Sequence, residues 1–524
     1  MPLGTLGPQH ASTHISTSVA SLTLGPRFLP AVPPSESDKS NTRIMGLLVF
    51  LRSRTFARNR AATGSECLRR NTGWSGLIVA AVVSFGFLGG CSDGGLPSLP
   101  KIGDLNPFKE KQAPLPGKRI PVIAAAEKIP GELANADKPI LIPAPRQNET
   151  WAQPGGEPNN SPGHLALGTT PREAWRSDVG TGSSKAGRLT ASPIVYGGRI
   201  FTIDAESVVS AFALSGGSAA WRVSMKPDRE KSGGFFSLGA GGGGGFGGGL
   251  AADGGRVFAT SGFGTVVAFD PQSGKKLWEK SLGAPIRAAP TATGDRVFVV
   301  STDGRFYCLS GSDGNELWVV RGLPQQASLV INTSPAVEGD IAVVPYPSGD
   351  LVAVKVSDGG ALWSESLTRT RATSQLASLS DAARPAIDAG TVFAIGHAGR
   401  MIATSAKTGE RLWSLNVPGT QTPSVGGESV FVVDTSGQLM AISRRDGKVQ
   451  WTAKLPGGGT WSGPVLAGGS LWLASNKGDL VGADAATGRV TSQQNVGNPV
   501  FIAPIVAQGR MFVVTDNAKL IALN

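Results

Sequence analysis

In this 524-residue chain, acidic side chains and serines recur at regular intervals, each time shortly before a glycine. Carboxylates can act as general acids or bind metal ions, and a serine can act as a nucleophile. The recurring groups are Asp270, Asp313, Asp446, Asp484 and the pair Ser273-Gly274. Because they recur in register with a longer repeat, and because Asp and Gly supply the hydrogen bond and the positive φ of a tight hairpin, we interpret them as turns. We therefore expect no catalytic residue among them.

Histidine and cysteine are too scattered for a recognisable metal or redox site. The chain has 4 His and 3 Cys, without a Cys-x-x-Cys or His-Glu-x-x-His pattern. His164 is interpreted as a linker residue, His397 as a turn residue and Cys308 as a small buried side chain. The glycine tract 239–249 has no flanking strand and helix, so we interpret it as a flexible loop rather than a phosphate cradle. We expect no metal, no cofactor and no disulfide.

These residues belong to a sequence repeat that occurs eight times in the chain. A typical copy has an apolar run at 296–300, a second at 307–309, an Asp-Gly turn and then a tryptophan. The tryptophans are Trp221, Trp278, Trp318, Trp363, Trp413 and Trp451, and a seventh copy has Thr491 in that place. From Trp278 to Trp451 they are 38–50 residues apart. Periods of this length, made of four short strands, predict an all-β, eight-bladed β-propeller of four-stranded blades.

The eighth copy ends at residues 521–524, before any tryptophan strand. The missing strand is found at 173–176, around Trp175, so we expect the N- and C-terminal strands to pair and close the ring. Each tryptophan is expected to cover the seam between two blades, where a large aromatic side chain removes much apolar area from water. Alanines such as Ala268 and Ala441 are expected to let the blades approach each other at the central channel.

The chain before the propeller divides into three predicted segments. Residues 1–44 look like a misassigned start, and 45–90 look like a lipoprotein signal region. The apolar stretch 74–88 is 15 residues long, short of the ~20 needed to cross a bilayer, and it follows a basic flank. Residues 91–171 are rich in Pro, Gly, Lys and Asn, which predicts a largely extended tether. The propeller is predicted over 172–524.

The basic charge of the chain comes largely from its N-terminal segment. The net charge is +11, but residues 1–91 hold nine Lys/Arg and three Asp/Glu, which leaves 40 basic against 35 acidic residues, or +5. A balance of this size indicates an export signal rather than a nucleic-acid-binding surface.

The blade motif, with residues 268–270 followed by 274–278, resembles the pyrroloquinoline-quinone-type propeller repeat. That family includes quinone-dependent dehydrogenases, which carry an adjacent cysteine pair, a catalytic Asp, a Glu/Asn calcium site and large added loops. Cys308 has no neighbouring cysteine, so the resemblance is confined to the blade motif and we expect no enzyme. A dehydrogenase-like enzyme and a periplasmic ligand-binding or sensor propeller remain the alternatives.

The run ending Leu88-Gly89-Gly90-Cys91 resembles the bacterial lipobox, which implies a lipid on Cys91. Ser92 follows, and the lack of Asp at that place implies the periplasmic face of the outer membrane. Together with the tether and eight blades, this resembles the BamB family of lipoproteins, which serve the machinery that inserts β-barrels into the outer membrane. Residues 326–336 are similar to the alphaproteobacterial members. The resemblance implies a scaffold that binds the barrel-forming subunit and assists unfolded outer-membrane proteins.

Members of that family contact the periplasmic domains of the barrel-forming subunit through two neighbouring loops. By order along the blades, Leu329 and Val330 match the first loop, and Leu379 and Asp381 match the second. Val330 stands where enterobacterial members have Arg, and Ala383 stands in place of a second acidic residue. Arg371 is our candidate for the missing charge.

Overall fold

Eight four-stranded antiparallel sheets contain all the named strands of the computed structural model. The structure describes residues 140–185, 187–227, 247–322, 333–346, 348–367, 382–397 and 399–524. In each sheet, strands that follow one another in sequence are paired, and the eighth sheet is completed by the first strand of the chain. The predicted all-β, eight-bladed propeller is confirmed.

The strands of the first four blades are as follows. Blade 1 contains β2 (Ile194–Tyr196), β3 (Arg199–Ile203), β4 (Val208–Ala213) and β5 (Ala219–Ser224). Blade 2 contains β6 (Gly248–Asp253), β7 (Arg256–Ser261), β8 (Thr265–Phe269) and β9 (Lys276–Ser281). Blade 3 contains β10 (Thr291–Thr293), β11 (Arg296–Val300), β12 (Arg305–Ser310) and β13 (Glu316–Arg321). Blade 4 contains β14 (Ala336–Glu338), β15 (Ile341–Pro345), β16 (Asp350–Lys355) and β17 (Ala361–Ser366).

The other four blades complete the ring. Blade 5 contains β18 (Ala386–Asp388), β19 (Thr391–Ile395), β20 (Met401–Ser405) and β21 (Arg411–Leu415). Blade 6 contains β22 (Ser424–Gly426), β23 (Ser429–Val433), β24 (Gln438–Ser443) and β25 (Val449–Lys454). Blade 7 contains β26 (Trp461–Ala467), β27 (Ser470–Ser475), β28 (Asp479–Asp484) and β29 (Val490–Asn495). Blade 8 contains β30 (Ile505–Ala507), β31 (Arg510–Val514), β32 (Lys519–Leu523) and β1 (Glu173–Asp178). A short 3-10 turn, Pro456–Gly458, precedes blade 7.

The order of strands within a blade runs from the axis outwards. First strands of successive blades contact one another from β2 to β26, so they are innermost. The fourth strands alternate exposed and half-buried residues, as expected of an outer edge. The apolar runs with which we expected each copy to begin, such as Arg296–Val300, are in fact the second strands, and most blades place a shorter strand before them.

The ring is closed by β1 and β32, as the sequence predicts. Trp175 pairs with Ala522 and Arg176 pairs with Ile521, in antiparallel register. At the end of the pair, Lys519 Nζ lies 2.5 Å from a carboxylate oxygen of Asp178, and this contact lowers the pKa of Asp178. The last blade is therefore built from residues of both ends of the described chain.

The predicted tryptophans do cover the seams, and they also form hydrogen bonds across them. In each of seven blades the indole Nε1 donates to a backbone carbonyl in the next blade's turn, over 2.8–3.3 Å. Trp413, for example, donates to Arg444 O at 2.9 Å. A glycine with positive φ lies beneath each ring; in this seam it is Gly447, at φ +72°. The glycine of the turn thus makes room for the neighbouring blade's indole.

The alanines do not lie at the central channel, where the sequence led us to expect them. Ala268 is on β8, a third strand, directly opposite Trp278, and a β-bulge follows between Ala268 and Phe269. Trp278 in turn lies 5.9 Å, centroid to centroid, from Phe258 of the second strand. A small residue is required there because the strand partner is an indole that packs against a phenyl ring.

Blade 7 has different residues at all three of these positions, on its second, third and fourth strands. The bulge in its outer pair aligns Ser492, not Thr491, with Gly482, so Ser492 takes the tryptophan position and our assignment to Thr491 was wrong. Trp472 replaces the usual phenylalanine on the second strand and is 1% exposed. A Cβ on Gly482 would lie 2.9 Å from the Trp472 ring. The aromatic bulk has therefore moved inwards by two strands.

The hydrophobic core lies between blades rather than within one of them. Each of the seven buried clusters combines residues of neighbouring blades; one joins Phe258 and Ala268 of blade 2 to Val297 and Leu309 of blade 3. Burial of apolar side chains against the next blade is the main driving force for assembly of the ring.

Candidate functional site

The two loops that the sequence analysis selected begin and end on the same face of the ring. Gly322, before residues 323–332, donates its N–H to Gly304 O at 2.7 Å. Leu367, before residues 368–381, donates its N–H to Gly349 O at 2.9 Å. Gly304 and Gly349 are both in turns between second and third strands. In an antiparallel blade these turns lie at the same end as the connection to the next blade, so we call this side the connection face.

The two connections also lie at neighbouring seams. The first runs from β13 to β14, between blades 3 and 4, and the second runs from β17 to β18, between blades 4 and 5. The proposed contact residues Leu329, Val330, Arg371, Leu379 and Asp381 lie outside the described residues, and so does Cys91. Their roles stay predictions.

A segment that we assigned to the extended tether lies against the ring. Residues 140–167 form backbone hydrogen bonds with first strands on several sides of the axis. Trp151 pairs with Val195 of blade 1, Ala252 N–H donates to Ala152 O at 2.7 Å, and Leu165 N–H donates to Leu466 O of blade 7 at 3.1 Å. Because an innermost strand has no neighbour on its axial side, its edge groups need partners. We call residues 140–167 the axial segment.

Buried amide side chains extend these contacts to further blades. Gln153, 1% exposed, donates to Ala252 O at 3.0 Å and to Ala292 O at 2.7 Å, and it accepts from Ala292 N–H at 3.0 Å. Asn148 donates to Val506 O of blade 8 at 2.8 Å, and Asn160 donates to Pro385 O at 2.9 Å. With backbone bonds to blades 4 and 5, the axial segment forms hydrogen bonds with seven blades.

His164 links the C-terminal end of the axial segment to blade 7. It is 8% exposed, its Nδ1 lies 2.5 Å from Pro143 O, and its Nε2 accepts from the Gly469 N–H at 2.8 Å. Because Nε2 accepts this bond, Nδ1 is the atom that donates to Pro143 O. His164 is therefore a structural link to blade 7 rather than the linker residue that the sequence indicated.

The acidic residues of the repeat serve as turn residues, as their recurrence indicates. The pKa of Asp270 is lowered by hydrogen bonds that its carboxylate accepts, first from the Ser273 hydroxyl and then from the N–H groups of Ser273 and Gln272. Asp484 accepts in the same way from Thr487. His397 is exposed on a turn. Within the described part of the chain, no group of three or more His, Cys, Asp or Glu residues is arranged to hold a metal ion.

Cys308 is fully buried on β12, and burial raises the pKa of its thiol to about 11. We expect iodoacetamide at pH 8 to modify it about 100-fold more slowly, or slower still, in the native protein than in urea, because the thiolate is the nucleophile. The measurement is mass-spectrometric labelling of a variant with Cys67→Ser and Cys91→Ser. Rapid native labelling would show that blade 3 opens locally.

Among the described residues, none forms a helix with the length and apolar character that a membrane span requires.

A family model described as outer membrane protein assembly factor BamB matches residues 204–453 and 450–524. The factor of that name from Yersinia pestis is 23% identical over 355 residues, which are 67% of this chain and 88% of that protein.

Solved structures show the same fold at low identity. The crystal structure of BamB from Moraxella catarrhalis has a TM-score of 0.56 at 16% identity, over 68% of this chain and all of that one. A europium-containing methanol dehydrogenase has a TM-score of 0.55 at 14% identity, over 70% of this chain and 89% of that one. At these identities both structures inform on the fold and not on the activity.

Proposed function

The chain belongs to the outer membrane protein assembly factor BamB family, and on that premise we propose that it is a non-catalytic scaffold of the β-barrel assembly complex. It binds the periplasmic domains of the barrel-forming subunit and assists insertion of outer-membrane proteins. The family match supports this most, because it covers the repeat array from residue 204 to residue 524.

The proposal includes a lipid anchor. Cys91 carries the lipid, and residues between it and the axial segment connect the ring to the periplasmic face of the outer membrane. The connection to the ring is firm, because the axial segment is held by buried side chains such as Gln153 and His164. Only the chain between Cys91 and about residue 140 is then available as a tether.

The connection face is the proposed binding surface. Its two selected loops join neighbouring blades, so one partner domain can contact both. Leu329 and Leu379 are the apolar anchors, and Asp381, with Arg371, provides charges at the rim. Apolar anchors contribute most of the affinity of such contacts, whereas rim charges set orientation and association rate.

The double variant Leu329→Ala, Asp381→Lys should weaken co-purification with the barrel-forming subunit about tenfold, because one anchor is lost and one rim charge is reversed. The measurement is affinity purification from solubilised membranes, with the subunit quantified by mass spectrometry. The melting temperature should remain within about 2 °C of the parent, because the proposal assigns both residues to the interface and neither to the core.

A matched control places the same changes on the outer rim of blade 5. Glu410 is exposed just before β21, and Leu412, on β21, is 50% exposed. The variant Glu410→Lys, Leu412→Ala should retain the subunit in full. Equal recovery with both variants would contradict the connection face as the interface.

A further inference from the structure

A cavity of about 400 Å³ lies between the axial segment and the connection face. Trp151, Pro154 and Asn160 of the axial segment line one side. The opposite wall comes from the segments that lead into blades 1, 5, 6, 7 and 8. Phe501, on the connection between blades 7 and 8, is 49% exposed, so the cavity reaches solvent there. This volume and place, enclosed by separate elements, are typical of a small-molecule site.

The wall of the cavity combines an apolar part with hydroxyl and amide side chains such as Thr420 and Gln421. Trp151 and Trp461 are 3% and 4% exposed, and Val500 and Ile502 are buried beside them. Phe501 provides a partly exposed aromatic ring at the opening. A ligand that fills this space must bring an apolar group of its own.

One formal charge is found among the described residues that line the cavity, and it is the guanidinium of Arg384. Its contacts include hydrogen bonds from Nη1 to Pro154 O at 3.3 Å and to Thr422 Oγ1 at 3.5 Å, both on the cavity wall. Burial lowers the pKa of Arg384 to about 10, which leaves it protonated at neutral pH. A guanidinium has five N–H donors, so it can hold protein groups and a carboxylate together.

We propose that this cavity binds a small apolar carboxylate, with the carboxylate on Arg384 and the apolar group against Trp461 and Phe501. Charge-assisted hydrogen bonds between guanidinium and carboxylate are stronger away from bulk water, and the apolar part of the wall excludes water around them. The ligand is either a free organic acid or the C-terminal residue of a polypeptide, since both present this chemistry.

The test is calorimetric titration of the full-length protein with N-acetyl-L-phenylalanine and with its uncharged amide. We expect one acid per chain, with a dissociation constant of about 1 mM or tighter. The amide should bind at least about tenfold more weakly, because it lacks the charge. Binding of acid and amide with equal affinity, or no binding of the acid, would overturn the proposal.

Variants locate the site. Arg384→Gln should weaken binding of the acid at least about tenfold, Arg384→Lys should weaken it less, and Phe501→Ala should weaken it several-fold. Arg445, exposed in a turn of blade 6, supplies the matched control Arg445→Gln, which should bind as the parent does. Because Phe501 is at the surface, its variant tests the site even if Arg384→Gln unfolds. Full binding by folded Arg384→Gln would contradict the assignment.

Two peptides distinguish a polypeptide C-terminus from a free organic acid as the ligand. They share one sequence that ends in phenylalanine, and one has a free C-terminal carboxylate whereas the other is amidated. If the ligand is a chain terminus, the peptide with a free C-terminus binds at least as tightly as N-acetyl-L-phenylalanine and the amidated peptide does not. If the ligand is a free acid, neither peptide binds while the small acid does. Either pattern supports the carboxylate site, and equal binding of both peptides contradicts it.

Discussion

Replacement of Gly447 by alanine should lower the free energy of unfolding by about 2–4 kcal/mol. Gly447 has a φ of +72°, which costs any residue with a Cβ about 1–2 kcal/mol. The new Cβ would also lie 2.8 Å from Cδ2 of Trp413, which is 8% exposed in the seam between blades 5 and 6. Crowding of a packed ring adds about 1–2 kcal/mol more. The measurement is equilibrium urea unfolding followed by tryptophan fluorescence.

Gly509→Ala separates the two causes. Gly509 has a φ of +70°, but a Cβ there meets no atom within 4 Å. This variant should therefore lose only the backbone part, about 1–2 kcal/mol. If both alanine variants lose the same amount, the indole does not depend on the glycine beneath it, and our account of the seams fails.

Replacement of Gln153 by leucine should destabilise the ring by about 3–5 kcal/mol. The change removes three hydrogen bonds and leaves Ala252 O, Ala292 O and Ala292 N without their partner in a buried place. Native hydrogen exchange should also speed up at the Ala252 amide, which donates to Ala152 O of the same segment.

Gln493→Leu is the control, because Gln493 is exposed on the outer strand of blade 7. Its effect should be within about 0.5 kcal/mol. If Gln153→Leu unfolds at the same urea concentration as this control, the axial segment does not contribute to the stability of the ring.

The repeat was readable because its signals are local. An apolar run, an Asp-Gly turn and a tryptophan follow one another within 23 residues, as from Arg296 to Trp318, and each has a conformational reason for its place. The closing strand was readable for the same reason, since the residues around Trp175 carry the tryptophan strand that the last copy lacks. The misplacement at Thr491 was not caused by the bulge, because the other blades have the same bulge in their outer strand pairs. The tryptophan position lies four residues after the turn glycine, as from Gly274 to Trp278, and the fourth residue after Gly488 is Ser492.

The axial segment and the cavity could not be predicted from the sequence. The segment is rich in Pro, Gly and Asn, which is the composition of a linker, and it binds through its backbone and a few amides to edges far away in sequence. The one available signal was Trp151, a large aromatic residue in a stretch otherwise typical of a tether. Arg384 follows a loop that the sequence analysis did select, but nothing in its neighbours indicates the cavity, which exists only when blades from both halves meet.

The distance along the chain between paired residues sets the order of folding. Asn148 is bonded to Val506, 358 residues away, and the closing strand waits for β32. During synthesis the N-terminal residues appear first, and Asn148 and β1 lack these two partners until blade 8 has been made. Closing so long a loop is entropically costly and makes this step slow. Cleavage within 173–178 before that step would therefore leave blade 8 without its fourth strand and the ring open.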